Sequence, residues 1–121
     1  MDFSGKTFWI TGAASGMGKS VSLLLARYSS ELIISDRDQA GLEQTASAIA
    51  AMGKKVRVVV LDMSDSSAIT SAAGKILAEG IRIDGLYQFA GISQRSLVSE
   101  TREENDRKIM EINFFGVVAL A

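Results

Sequence analysis

Residues 7–18 read Thr-Phe-Trp-Ile-Thr-Gly-Ala-Ala-Ser-Gly-Met-Gly, a short β-forming run that empties into three closely spaced glycines. Aromatic and β-branched residues such as Phe8, Trp9 and Ile10 suit a pleated surface. Beyond Gly18 the period changes. Val21, Leu24, Leu25 and Tyr28 recur at the spacing of one helix face. The stretch therefore predicts a strand, a glycine turn and a helix in direct succession.

That junction suits an anion. Glycines there permit a tight turn, close approach of the backbone to a pyrophosphate, and close packing of helix on strand. The N–H groups that open the helix meet the negative charge with the helix dipole behind them. The spacing is G-x-x-x-G-x-G rather than G-x-G-x-x-G, but the physical demands are similar. Gly12, Ala14, Ser15, Gly16, Met17 and Gly18 are thus the expected phosphate-loop residues. A side chain at Gly12 is expected to fill the space the pyrophosphate needs.

Working outward, the alternation repeats. Leu32 to Ser35 reads as a second strand, and Leu42, Ala46, Ile49 and Ala50 as a second helix stopping near Gly53. Val56 to Leu61 is almost continuously apolar, as strands covered on both faces tend to be. Ile69, Ala72, Ala73, Ile76 and Leu77 mark a third helix, and Leu86 to Ala90 a fourth strand. From about Thr101 the chain reads as helix again, with Glu103 and Glu104 in its first turn. The pattern β-α-β-α-β-α-β-α predicts one domain over residues 1–121: an α/β, doubly wound parallel sheet of Rossmann type, cut after about four strands.

Asp36 closes the second strand, about 20 residues beyond the glycines, where such folds place the acid that bonds the adenosine ribose. A carboxylate accepts hydrogen bonds from a ribose diol and repels a 2′-phosphate, which favours NAD over NADP. Arg37 argues the other way, since a guanidinium grips phosphate. Asp36 also stands where it would cap the next helix, a role compatible with ribose binding.

Composition narrows the chemistry. The chain has 47% hydrophobic and 22% charged residues and a net charge of -1, from 13 basic and 14 acidic side chains. No concentrated basic face points to nucleic acid, and no apolar run is long enough for a membrane span. Cysteine and histidine are both absent. That removes thiolate and imidazole chemistry and the usual soft metal ligands, so no metal site is expected. A soluble cytoplasmic protein is the expectation.

With these residues in view, the chain resembles the short-chain dehydrogenase/reductase family from Ser4 to its last residue. Thr11 to Gly18 is similar to that family's T-G-x-x-x-G-x-G signature. The resemblance implies a nicotinamide cofactor, with Asp62 and its neighbour Met63 at the adenine ring. Asp62 alternatively caps the helix around Ser64 and Asp65. Ala90-Gly91 matches the end of the family's Asn-Asn-Ala-Gly motif, with Gln88 and Phe89 in place of the asparagines. Asn113 matches the helical asparagine of the family's Asn-Ser-Tyr-Lys tetrad, and its backbone carbonyl is implied to hold a water in a proton relay. Ile92 to Arg95 follows the fourth strand at the sheet's carboxyl edge, as pocket lining or ordinary loop.

Hydride exchange with an alcohol or carbonyl also needs a proton donor or acceptor. The family resemblance implies a tyrosine with a lysine four residues later. Neither tyrosine here has that partner: Leu32 follows Tyr28 at that distance, and Gly91 follows Tyr87. The chain is therefore expected to be the cofactor-binding half of a longer oxidoreductase for a small-molecule alcohol or carbonyl, homo-oligomeric by resemblance. The alternatives are a non-catalytic dinucleotide-binding module and a remnant of the fold that binds nothing.

Overall fold

The computed structural model describes residues 3–90. The elements are β1 (Phe3–Thr11), α1 (Gly16–Ala26), β2 (Ser29–Asp36), α2 (Gln39–Ala51), β3 (Lys55–Val60), α3 (Ser66–Ala78) and β4 (Gly85–Gln88). The strands form one parallel sheet in the order β3-β2-β1-β4. A helix links each strand to the next, as parallel pairing requires.

Alternation along the strands divides the core into two layers. Phe8, Ile10, Leu32 and Ile34 point to the side covered by α1 and α2, where Leu25, Leu42 and Ile49 complete the cluster. Trp9 and Ile33 point to the side covered by α3, against Ile69 and Ile76. The Trp9 indole donates to Ser35 Oγ at 2.9 Å, which satisfies its one polar atom. Asp84 fixes the start of β4 beside β1: its carboxylate accepts from the Thr7 amide at 3.0 Å, and its own amide donates to the Thr7 carbonyl at 2.8 Å.

Several details depart from the sequence-based expectation. The first two strands begin earlier than expected, at Phe3 and Ser29, and the fourth ends at Gln88. Helix α1 ends at Ala26, and its buried residues are Gly18, Ser22, Leu25 and Ala26, while Leu24 is exposed. The helix rotates its small residues inward because Gly18 lies against the Gly12 backbone. Leu77 on α3 and Ala50 on α2 are likewise exposed, and α2 buries Thr45 beside Leu42 and Ile49. The third strand is covered only in part: Val56 and Val59 pack against the two core clusters, but Val58 and Val60 are exposed, because among the described residues the strand stands at the sheet edge beside β2.

A surface ion pair joins this edge strand to the end of α3, between Arg57 and Glu79. The hydrogen bond from the guanidinium, aided by its charge, holds the Glu79 carboxyl below its ordinary range. A group whose folded-state pKa is depressed contributes stability above its unfolded value, and that stability is lost as pH falls through the folded one. Thermal unfolding of Glu79→Gln should therefore decline less steeply than wild type as pH drops from about 5 to about 3. Parallel declines would show that the pair contributes nothing.

Candidate functional site

Strand β1 ends at Thr11, and the chain turns at Gly12, whose φ of 73° a side chain would strain. It then enters α1 at Gly16, with φ 57°. A Cβ on Gly18 would stand 1.9 Å from the Gly12 carbonyl oxygen. A Cβ on Gly12 would meet Phe89 C and Ala90 N at 2.6 Å. A side chain on Gly12 thus collides with the backbone that follows β4. Gly16 is the loop glycine with open space around it.

The loop is anchored at its first half. The Ala13 amide donates to the Ser35 carbonyl at 3.1 Å, and the Ala14 amide donates to Asp36 Oδ2 at 3.0 Å. Thr45 Oγ1 donates to the Ala13 carbonyl at 2.9 Å. Beyond that point Ser15, Gly16 and Met17 are exposed, and Ser15 is the N-cap of α1 without a side-chain cap hydrogen bond. The first-turn N–H groups of a helix have no acceptor within it, so this end of α1 offers donors and the positive end of a dipole.

A cleft of about 420 Å³ opens here, at the carboxyl ends of the strands. It brings together Gly12, Ser15, Gly16, Met17 and Gly18 with Asp36 and Arg37 from the end of β2. Asp62 and Met63, which follow β3, and Ala90, which follows β4, complete the set of sequence-predicted residues that line it. Ala14 does not line the cleft; it is buried and serves through its amide bond to Asp36. Gly91, Asn113 and the segment Ile92 to Arg95 lie outside the described residues.

The carboxylates are held in place. Asp36 Oδ1 accepts from the Asp38 amide at 3.0 Å while Oδ2 takes Ala14, so both oxygens are pinned by backbone. The cap of α2 is Asp38, through the Gly41 amide, and not Asp36. Asp62 Oδ1 accepts from the Ser64 amide at 2.9 Å and its hydroxyl at 2.7 Å, which fixes a turn, while Asp65 caps α3. Sequence reasoning missed Thr11, Ser35, Asp38, Leu61 and Phe89 as lining residues. Thr11 and Ser35 were within reach of it, since both close strands at the edge where such sheets bind ligands. Thr11 Oγ1 is buried with no hydrogen-bond partner among the described residues.

A parallel sheet with helices on both faces and a glycine-rich turn opening a cleft between strand ends is a Rossmann-type domain. The comparisons narrow it further: residues 6–121 match the short chain dehydrogenase family model, and the chain belongs to that family. Dehydrogenase/reductase SDR family member 7B of Xenopus tropicalis is 35% identical over 117 residues, covering 92% of this chain and 38% of that protein. EphD of Mycobacterium tuberculosis, described as a probable oxidoreductase, is 38% identical over 109 residues, covering 90% of this chain and 18% of that protein. Among solved structures, the citronellol catabolism dehydrogenase of Pseudomonas aeruginosa superposes with a TM-score of 0.89 at 26% identity, covering 98% of this chain and 48% of that one. A Shigella flexneri short chain dehydrogenase in complex with NADP gives 0.89 at 25%, covering 98% and 51%. The chain thus spans less than two fifths of these two sequence relatives and about half of the solved chains.

Gly18 and Gly74, both helical, make opposite predictions. Gly18→Ala should lower stability in urea unfolding by about 3 kcal/mol, as overpacking against backbone does. Gly74→Ala, in open space on α3, should raise it by roughly 0.5–1 kcal/mol through helix propensity. Equal effects would remove the Gly18–Gly12 contact as the constraint on α1.

Proposed function

We propose that this chain is the cofactor-binding half of an NAD(P)-dependent oxidoreductase that exchanges a hydride with an alcohol or carbonyl substrate. The observation that carries the reading is the cleft itself: an open glycine loop at a helix N-terminus faces a pinned carboxylate at the end of the neighbouring strand. The residues suit a dinucleotide. Gly16 has the open space a pyrophosphate needs, and Thr11 Oγ1 is an orphaned buried polar atom in the wall. The match to a relative solved with NADP supports the same cofactor class.

When bound, the nicotinamide ring gives or takes the hydride; the chain's residues bind and orient. The N–H groups at the start of α1 hold the pyrophosphate. Asp36 retains lone pairs beside its two backbone bonds and accepts from the ribose hydroxyls. Asp62 and Met63 flank the adenine. The fixed carboxylate favours NAD, and Arg37, exposed at the same edge, makes NADP the alternative. We assign Asn113 to the proton relay that the family resemblance implies, with a tyrosine–lysine pair as its partner. We assign Ala90 and Gly91 to the ring end of the cofactor, and we place the protein in the cytoplasm as a homo-oligomer.

Titration with NADH, read by energy transfer from Trp9, is expected to show saturable binding that Gly16→Val abolishes. Binding unchanged by that side chain would overturn the phosphate-loop assignment. Asp36→Ala should weaken NADH and narrow any preference over NADPH, as the repulsion of a 2′-phosphate disappears. If the ratio of the two dissociation constants does not move, Asp36 has no part in ribose recognition.

A further inference from the structure

The Ala13 carbonyl and the Ala14 amide belong to one peptide unit, which is planar and turns as a rigid plate. Both of its polar ends are gripped. Asp36 Oδ2 takes the Ala14 N–H at 3.0 Å, and Thr45 Oγ1 donates to the Ala13 oxygen at 2.9 Å. Asp36 follows directly from the sequence motif. Thr45 does not: it lies on α2, 32 positions from Ala13 in the chain, and is fully buried.

A threonine hydroxyl has one proton to donate. Inside a helix it ordinarily donates to the carbonyl four residues back. Here that carbonyl, Gly41, lies at 3.3 Å and the loop carbonyl at 2.9 Å, so the shorter bond goes to the loop. A second observation shows that α2 is seated on the loop. A Cβ on Gly41 would stand 3.1 Å from the Ala14 methyl and 2.6 Å from Asp38 Oδ2.

We propose that Thr45 is a positioning residue for cofactor binding, its buried hydroxyl fixing the tilt of the Ala13–Ala14 peptide and so the aim of the amides that follow it. The inference rests on the dinucleotide reading above and deepens it. Without the hydroxyl, the peptide is held at its N–H end alone and rocks about the bond to Asp36. Ser15, Gly16 and Met17 are exposed, and their backbone continues straight from this peptide into α1, where the Lys19 amide donates to the Ser15 carbonyl at 3.2 Å, so their direction follows the tilt of the peptide before them. The effect should fall on the pyrophosphate, which those amides receive, and not on the adenine end.

The test compares variants of the full chain. Thr45→Val keeps the shape and removes the donor; Thr45→Ser keeps the donor and removes the methyl. Folding is checked by circular dichroism below the melting temperature of each. Thr45→Val should bind NADH about three- to tenfold more weakly, the range of one lost hydrogen bond. The loss should recur with ADP-ribose and vanish with adenosine, while Thr45→Ser binds as wild type does. Thr45→Cys, a weak donor, should fall between them and serves if the valine variant does not fold. Unchanged affinity in folded Thr45→Val or Thr45→Cys overturns the proposal, and so does an equal loss in Thr45→Ser, which would assign the effect to packing. A wild-type chain that binds neither NADH nor NADPH overturns the dinucleotide reading itself, and that outcome is distinct from a variant series that binds uniformly.

Discussion

Gly18 lies so close to the Gly12 carbonyl that no side chain fits between them, and much of the domain's geometry follows from that contact. It sets the depth at which α1 sits on the sheet. At that depth Ser22, Leu25 and Ala26 become the buried side of the helix and Leu24 turns outward. It also places the first turn of α1 over the end of β1, where its N–H groups open into the cleft. A larger residue at Gly18 would lift the helix and separate the dipole from the strand end beneath it. Packing and the proposed function share one constraint here, since the helix that closes the core is also the helix whose first turn opens into the cleft.

A second layer of order comes from backbone amides bonded to side chains. Asp36 ties the phosphate loop to the start of α2 through Ala14 and Asp38, and its carbonyl accepts from Leu61 as β3 ends. One residue thus touches three segments that line the cleft. Asp38, Asp62 and Asp65 each hold the turn that follows their strand. These carboxylates are structural and chemical at once. A carboxylate fixed by two backbone donors gives up little side-chain freedom when a ligand arrives, which lowers the entropic cost of binding.

Much of the architecture was legible in the residues because local signals agreed with one another. The run Thr7 to Thr11, the glycines after it and the apolar period beyond Gly18 have one consistent reading, strand into turn into helix. The same holds at Leu32 to Ser35 and at Val56 to Leu61, and the observed order β3-β2-β1-β4 is the first part of the 3-2-1-4-5-6 order of a Rossmann-type sheet. The candidate site was legible for a related reason: glycine loops and strand-terminal acids are local features with fixed spacing. What escaped were properties set by more than one segment. Val56 to Leu61 read as a doubly covered strand because an apolar run carries no information about its place in the sheet, and the sheet order puts it at the edge.

The sequence by itself determined the elements, their order and the acids at the strand ends, because period, turn chemistry and capping act over a few residues. Only the tertiary structure decided which face of α1 turns inward, because that depends on two glycines meeting across a turn. It alone showed that a side chain on Gly12 would strike the end of β4, and that Asp38 rather than Asp36 caps α2. It alone brought Thr45 to the phosphate loop. A threonine within a helix reads as an ordinary helix residue until another segment supplies the carbonyl it bonds, and that carbonyl lies 32 residues away.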